Sequence, residues 1–190
     1  MNCNISINGD IGSGKSSVCK VLSEEYGYEH VYIGELFRKI AEERGVSVTE
    51  LHDIARVDPS IDKRLDDLQT ELDDSRTDIV FDARLAWYFA PKSFSVYITV
   101  RPEIAAERIF KSQDRIAEKY SKVEEVFDEI VKRREIEVNR YYEKYGVRFD
   151  DLSKYNLIVD SSDKSPESVA NIIIGAIMSQ SQNEVLNIFG

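Results

Sequence analysis

The sequence predicts an α/β fold, a five-stranded parallel sheet with helices on both faces. It also predicts a helical insert and a short lid. Three observations carry this reading. Strand-like and helix-like segments alternate along the chain, which calls for parallel strands joined by right-handed crossovers. The strand candidates are short and rich in β-branched and aromatic residues. A glycine-rich loop joins the first strand directly to the first helix.

Residues 3–8 alternate apolar and polar side chains and run into Gly9, the pattern of a short strand that ends in a tight loop. From Lys15, the apolar positions Val18, Cys19, Val21 and Leu22 recur at helical spacing until Gly27 stops the helix. A second strand is expected at 30–33, and a helix from Gly34 to Arg44-Gly45. Residues 48–75 read as two helices broken near Asp58-Pro59. Strands follow at 79–81 and 94–100, the latter near the sheet centre. Pro102 opens another helix, where proline costs least. Residues 103–111 and 123–145 are helical, with the polar break Ser112-Gln113-Asp114-Arg115 between them. The fifth strand is placed at 157–160, and a last helix runs from Ser165-Pro166 to about Met178. Residues 1–190 therefore form one domain, with an acceptor-binding insert at 34–76, a lid at 108–123 and a loose tail at 181–190.

Composition narrows the function classes. A length of 190 residues with 42% hydrophobic content suffices for one core around a sheet. The formal net charge of -10 repels polyanions, so nucleic acid and acidic membrane faces are not expected partners. Cys3 and Cys19 have no companions at metal-site or redox spacing and read as buried thiols in a reducing compartment. The chain start has no signal-peptide character, and no apolar run approaches the roughly 18 residues of a spanning helix, so a cytoplasmic protein is expected. His30 and His52 lie too far apart in sequence to suggest a metal pair.

Gly9-Asp10-Ile11-Gly12-Ser13-Gly14-Lys15-Ser16 has two glycines separated by four residues and followed by lysine and a hydroxyl residue, the P-loop pattern. Glycine lets the backbone curl until successive N–H groups point at phosphate oxygens, and the positive end of the following helix adds to the attraction. Gly9, Asp10, Gly12, Ser13, Gly14, Lys15, Ser16 and Ser17 are thus the candidate ATP contacts. Lys15 would neutralise the β- and γ-phosphates, and Ser16 would hold Mg2+. The loop alone does not distinguish kinases from other nucleotide-binding proteins, but the chain lacks an Asn-Lys-x-Asp guanine motif and has no room for a motor domain.

Further segments resemble the cytidylate kinase-like branch of the nucleoside monophosphate kinases, in the short form found in archaea. They are Gly34-Glu35-Leu36-Phe37-Arg38, Asp58-Pro59-Ser60-Ile61-Asp62, Asp82-Ala83-Arg84-Leu85, Arg133 through Tyr141, and Tyr145-Gly146 with Asp150-Asp151-Leu152-Ser153. The resemblance implies that Arg38 and Arg84 meet the acceptor phosphate and that Asp82 reaches magnesium and the acceptor site. It implies that Arg133 and Arg140 bind the acceptor, with Glu137 taking a hydrogen bond from the cytosine amino group. Spacings of four and three put Arg133, Glu137 and Arg140 on one helix face, which is also the pattern of a surface ion-pair ladder. Arg108 and Arg115 flank the lid, Arg108 toward ATP and Arg115 toward the transferring phosphate. Ala83 and Trp87 stand where the family usually has glycine, which leaves the acceptor open. The tyrosine run 141–145 reads as helix packing. The resemblance implies ATP-dependent phosphoryl transfer to CMP or dCMP; a monomer or weak homodimer is expected. A kinase of the same build for another nucleotide, a nucleoside or dephospho-coenzyme A is the alternative, as is an ATP-binding regulatory module.

Overall fold

The computed structural model describes residues 3–112 and 120–189, without the side chains of Thr49, His52, Arg56 and 181–189. Five strands, β1 (Ile5–Gly9), β2 (Glu29–Tyr32), β3 (Ile79–Asp82), β4 (Phe94–Thr99) and β5 (Leu157–Asp160), form one parallel sheet in the order β2-β3-β1-β4-β5. β1 is the middle strand and all five of its residues are buried. The chain crosses to one side of β1 for β2 and β3 and to the other for β4 and β5. The loop after β1 therefore lies at the switch point where open α/β sheets bind ligands.

The two-residue period of the strands divides the core. Ile5, Ile7, Val80, Val96 and Ile98 face α1 (Lys15–Tyr26) and α8 (Pro166–Phe189), where Val18, Leu22, Val169 and Ile173 meet them. From the other face, Tyr97 packs with Leu85, Val138, Phe149 and Tyr155, and Ile79 and Phe81 pack with Ala86 and Ala90. Val138 belongs to α7 (Val123–Tyr145), and Ala86 to the short helix α5 (Ala86–Phe89). Helices therefore cover both faces. α6 (Pro102–Lys111) begins at proline as expected.

The insert is helical throughout: α2 (Ile33–Glu43), α3 (Val48–Val57) and α4 (Ser60–Ser75). Ser47 caps α3, accepting from the Glu50 N–H while Glu50 accepts from the Ser47 N–H at 2.8 Å. The break falls at Asp58-Pro59, where the Asp58 carboxylate accepts from the Ser60 N–H at 3.0 Å. Phe37, Ala41, Leu51, Ala55, Ile61 and Leu65 bury one another in a small core separate from the sheet.

Two details differ from the sequence reading. α8 continues to Phe189 rather than ending near Met178, because no proline or glycine interrupts 179–189. α5 was not expected, since four residues are too few to show a helical period. Of the lid segment, residues 113–119 with Arg115 lie outside the described residues.

Candidate active site

β1 delivers the loop and α1 receives it. A Cβ on Gly9 would lie 2.3 Å from the Ile98 carbonyl oxygen, so only glycine lets the loop pass β4. Gly12 has φ +78, and a Cβ there would meet the Ala105 Cβ at 2.9 Å. Among the described residues, no main-chain carbonyl takes the N–H groups of Gly12, Gly14, Lys15 or Ser16. A loop that leaves four donors free at a helix start is suited to an anion.

Ser16 and Asp82, one at the start of α1 and the other at the end of β3, meet at 2.9 Å from Oγ to Oδ2. His30 on β2 brings Nε2 within 3.8 Å of the same carboxylate oxygen. Burial pushes the Asp82 carboxyl up, but the His30 imidazole, the Lys15 charge and the Ser16 hydroxyl outweigh it and hold Asp82 below the usual carboxylate range. Lys15 is pushed the other way. Burial and the neighbouring Arg84 guanidinium lower its pKa to about 8. Lys15 Nζ donates to the Gly9 carbonyl at 3.4 Å.

Arg84 is placed by three contacts. Its guanidinium donates to the Gly9 carbonyl at 2.6 Å, pairs with Glu137 at 2.8 Å and lies over the Phe149 ring. The Asn8 amide holds its carbonyl at 2.7 Å. The second Glu137 oxygen accepts from Arg133 Nε at 3.0 Å, so both carboxylate oxygens are occupied by arginines. Glu137 thus orients two arginines, one through each oxygen. Arg140 stands beside Tyr141 and 4.0 Å from Asp62. Arg38 lies over the Tyr32 ring, 5.0 Å from its centre.

A cavity of about 450 Å³ opens between the ends of the strands, the insert and α7. Lys15, Ser16, Arg38, Asp82, Arg84, Arg133, Glu137 and Arg140 all line it, so the structure gathers these eight candidates from three helices and the β3 end. Among the described residues, six cations and four carboxylates share its wall, an excess of positive charge in a chain whose net charge is -10.

Other candidates lie elsewhere. Asp10 is turned away from the cavity: its oxygens accept from Tyr97 Oη at 2.9 Å and the Val100 N–H at 3.1 Å, and Arg134 pairs with it. The Ser13 side chain is buried, and its carbonyl accepts from Ser161 Oγ at 2.9 Å. Arg108 donates to the carbonyls of Ser161 and Ser162 at 2.7 and 3.1 Å. Ala83 lines the cavity, whereas Trp87 packs against Tyr88 and Tyr155 and does not. Tyr141 and Tyr145 stack with one another and also line the cavity.

Sequence reasoning gave the α4 wall no role: Asp62 was quoted only within a segment of the resemblance, and Asp66 and Gln69 were missed. Their spacing of four and three is the same one-face signal that singled out Arg133, Glu137 and Arg140. Arg134 and His30 were also missed, because their partners Asp10 and Asp82 come from distant segments.

Comparison with known proteins agrees with this geometry. Residues 5–132 match the family model described as AAA domain. The cytidylate kinase of Pyrococcus abyssi is 36% identical over 174 residues, 91% of this chain and 92% of that one. That of Ignicoccus hospitalis is 38% identical over 169 residues, 88% of this chain and 94% of that one. Among solved structures, an uncharacterized protein from Eubacterium ventriosum has a TM-score of 0.72 at 16% identity, covering 93% of this chain and 99% of that one. The shikimate kinase of Acinetobacter baumannii has a TM-score of 0.60 at 16% identity, covering 95% of both chains, a likeness of fold. With the sequence relatives matching nearly end to end, the chain belongs to the cytidylate kinase family of P-loop kinases.

Proposed function

We propose that the protein transfers the γ-phosphoryl group of ATP to a nucleoside monophosphate, CMP or dCMP, giving the diphosphate and ADP. The observation that carries this reading is one cavity whose lining brings Arg38, Arg84, Arg133 and Arg140 together with Lys15, Ser16 and Asp82. One half suits a polyphosphate and the other a second phosphate.

In this reading an acceptor phosphate oxygen attacks the γ-phosphorus while the bond to the ADP oxygen breaks. That oxygen is already anionic, so no general base is needed, and alignment with charge neutralisation lowers the barrier. The free N–H groups of the loop and Lys15 hold the phosphates of ATP. Arg38, Arg84, Arg133 and Arg140 gather the acceptor phosphate, since a guanidinium meets two phosphate oxygens at once. Glu137 holds Arg84 and Arg133 in place. The residues present fit Mg2+: the Ser16 hydroxyl and the Asp82 carboxylate are hard oxygen donors 2.9 Å apart. When bound, Mg2+ would withdraw charge from the phosphate oxygens. Arg108 and Arg115 belong to the lid in this reading, whose closure would exclude water as a competing acceptor.

The test is ADP formation from ATP and Mg2+ with a panel of CMP, dCMP, UMP, AMP, GMP and dephospho-coenzyme A. Strong stimulation by CMP or dCMP is expected, and Lys15→Ala should remove it, by a factor of about 100 or more, while the circular dichroism stays unchanged. Stimulation by dephospho-coenzyme A alone would move the acceptor to that compound. Tight ATP binding with no stimulation by any acceptor would make the protein an ATP-binding regulatory module.

A further inference from the structure

The α4 wall of the cavity holds polar groups whose hydrogen bonding is incomplete. Gln69 is 2% exposed; its Nε2 donates to the Leu65 carbonyl at 3.1 Å, and its buried Oε1 has no partner. A buried amide oxygen left unpaired is costly, so such a group marks a place where a ligand donor is expected. One helical turn earlier, Asp66 accepts from Tyr145 Oη at 2.7 Å through Oδ2 only. Both residues line the cavity and, three apart on α4, share a face.

The neighbouring carboxylates are already committed. Asp62 pairs with Lys144 and stands 4.0 Å from Arg140, and both Glu137 oxygens are held by arginines. Among the described residues, the acceptors on this wall without a cation paired to their group are Gln69 Oε1 and an Asp66 oxygen. The arginines that suit a phosphate enter from α2, the β3 end and α7.

Two acceptors side by side are complementary to one exocyclic amino group, which has two N–H donors. They oppose a carbonyl oxygen in the same place, because lone pairs would face lone pairs. Resting on the acceptor reading above, we propose that Gln69 and Asp66 read the acceptor base through its exocyclic amine, so that the site takes cytosine and rejects uracil. Tyr145 is then a positioning residue that fixes the Asp66 carboxylate, and Glu137 acts on the phosphate arginines instead of on the base.

The test compares kcat/KM for CMP and UMP in the full-length protein and in Asp66→Asn and Gln69→Met. The unaltered protein should favour CMP. Each variant should lower the CMP-to-UMP ratio by about tenfold or more, Asp66→Asn partly by gaining activity on UMP, since an amide can donate to the uracil oxygen. CMP carrying two methyl groups on its exocyclic nitrogen has no N–H to offer, and the unaltered protein should use it at least about tenfold less well than CMP. That arm is independent of how the variants fold. If CMP is phosphorylated but the dimethylated compound serves equally well, or both variants keep the CMP-to-UMP ratio, the base-reading assignment falls and the kinase reading stands. If no nucleotide is phosphorylated at all, both fall together.

Discussion

Asp66 combines a hydrogen-bonded role with an unfavourable setting. Burial raises its carboxyl pKa from 3.8 to about 6, against the opposing Tyr145 hydroxyl. A carboxyl whose folded pKa exceeds its unfolded value stays protonated longer in the folded state, so stability is fully present below about pH 4 and declines as pH rises to about 6. At pH 7 the charged form should therefore cost about 1–2 kcal/mol, once screening by solvent is allowed for. Asp66→Asn should raise the melting temperature at pH 7 by about 2–6 °C and change it little at pH 4, as differential scanning calorimetry at the two pH values would show. An equal shift at both would contradict the burial argument. Asp10 belongs to the same scale. It stands inside the glycine-rich loop by sequence, yet its oxygens brace the loop against Tyr97, Val100 and Arg134.

The insert folds around contacts of its own, and this gives its helices a separate vulnerability. Leu51 is fully buried among Phe37, Ala41, Ala55, Ile61 and Leu65, none of which belongs to the sheet core. Leu51→Ala should remove about 2–4 kcal/mol from that cluster. Because α2 and α4 carry Arg38, Asp66 and Gln69 to the cavity, the loss should appear as a KM for the acceptor raised about tenfold, while the KM for ATP changes less than about twofold. Hydrogen exchange should accelerate in 48–75 and not in β1. Exchange that accelerates everywhere would mean that the insert is not a separate unit. At this scale the sequence was informative: the break at Asp58-Pro59 follows from turn chemistry that acts within a few residues. The length of α8 was not legible in the same way, since polar residues at 179–183 carry no stop signal but do not require a helix either.

Across the whole molecule, the cavity is walled by the sheet end, the insert and α7, joined across it by Arg84–Glu137, Lys144–Asp62 and Tyr145–Asp66. A ligand that spans both halves would tie them together. A dinucleoside polyphosphate joining adenosine to cytidine should therefore bind more tightly, and at the same concentration stabilise more, than ATP or CMP alone. At about 100 times its dissociation constant it should add about 2.7 kcal/mol, or roughly 5–10 °C in melting temperature. A shift no larger than that from ATP alone would mean that the two halves do not bind as one site. Charge is organised at this scale too, with the net negative surface enclosing a cavity in which cations outnumber carboxylates.

The sequence by itself determined the sheet, the phosphate loop and the family, because each depends on local signals: period-two and helical spacing, glycines at set intervals, and short motifs that resemble those of known kinases. It also named all four arginines that line the cavity. Only the tertiary structure decided what each side chain has left to offer. Asp10 and Arg108 are occupied by groups far away in the chain, Glu137 is divided between Arg133 and Arg84, and Gln69 retains a buried oxygen without a partner. Hydrogen-bonding capacity is spent across the fold between segments distant in sequence, so a residue's type and spacing do not reveal whether its capacity is already taken.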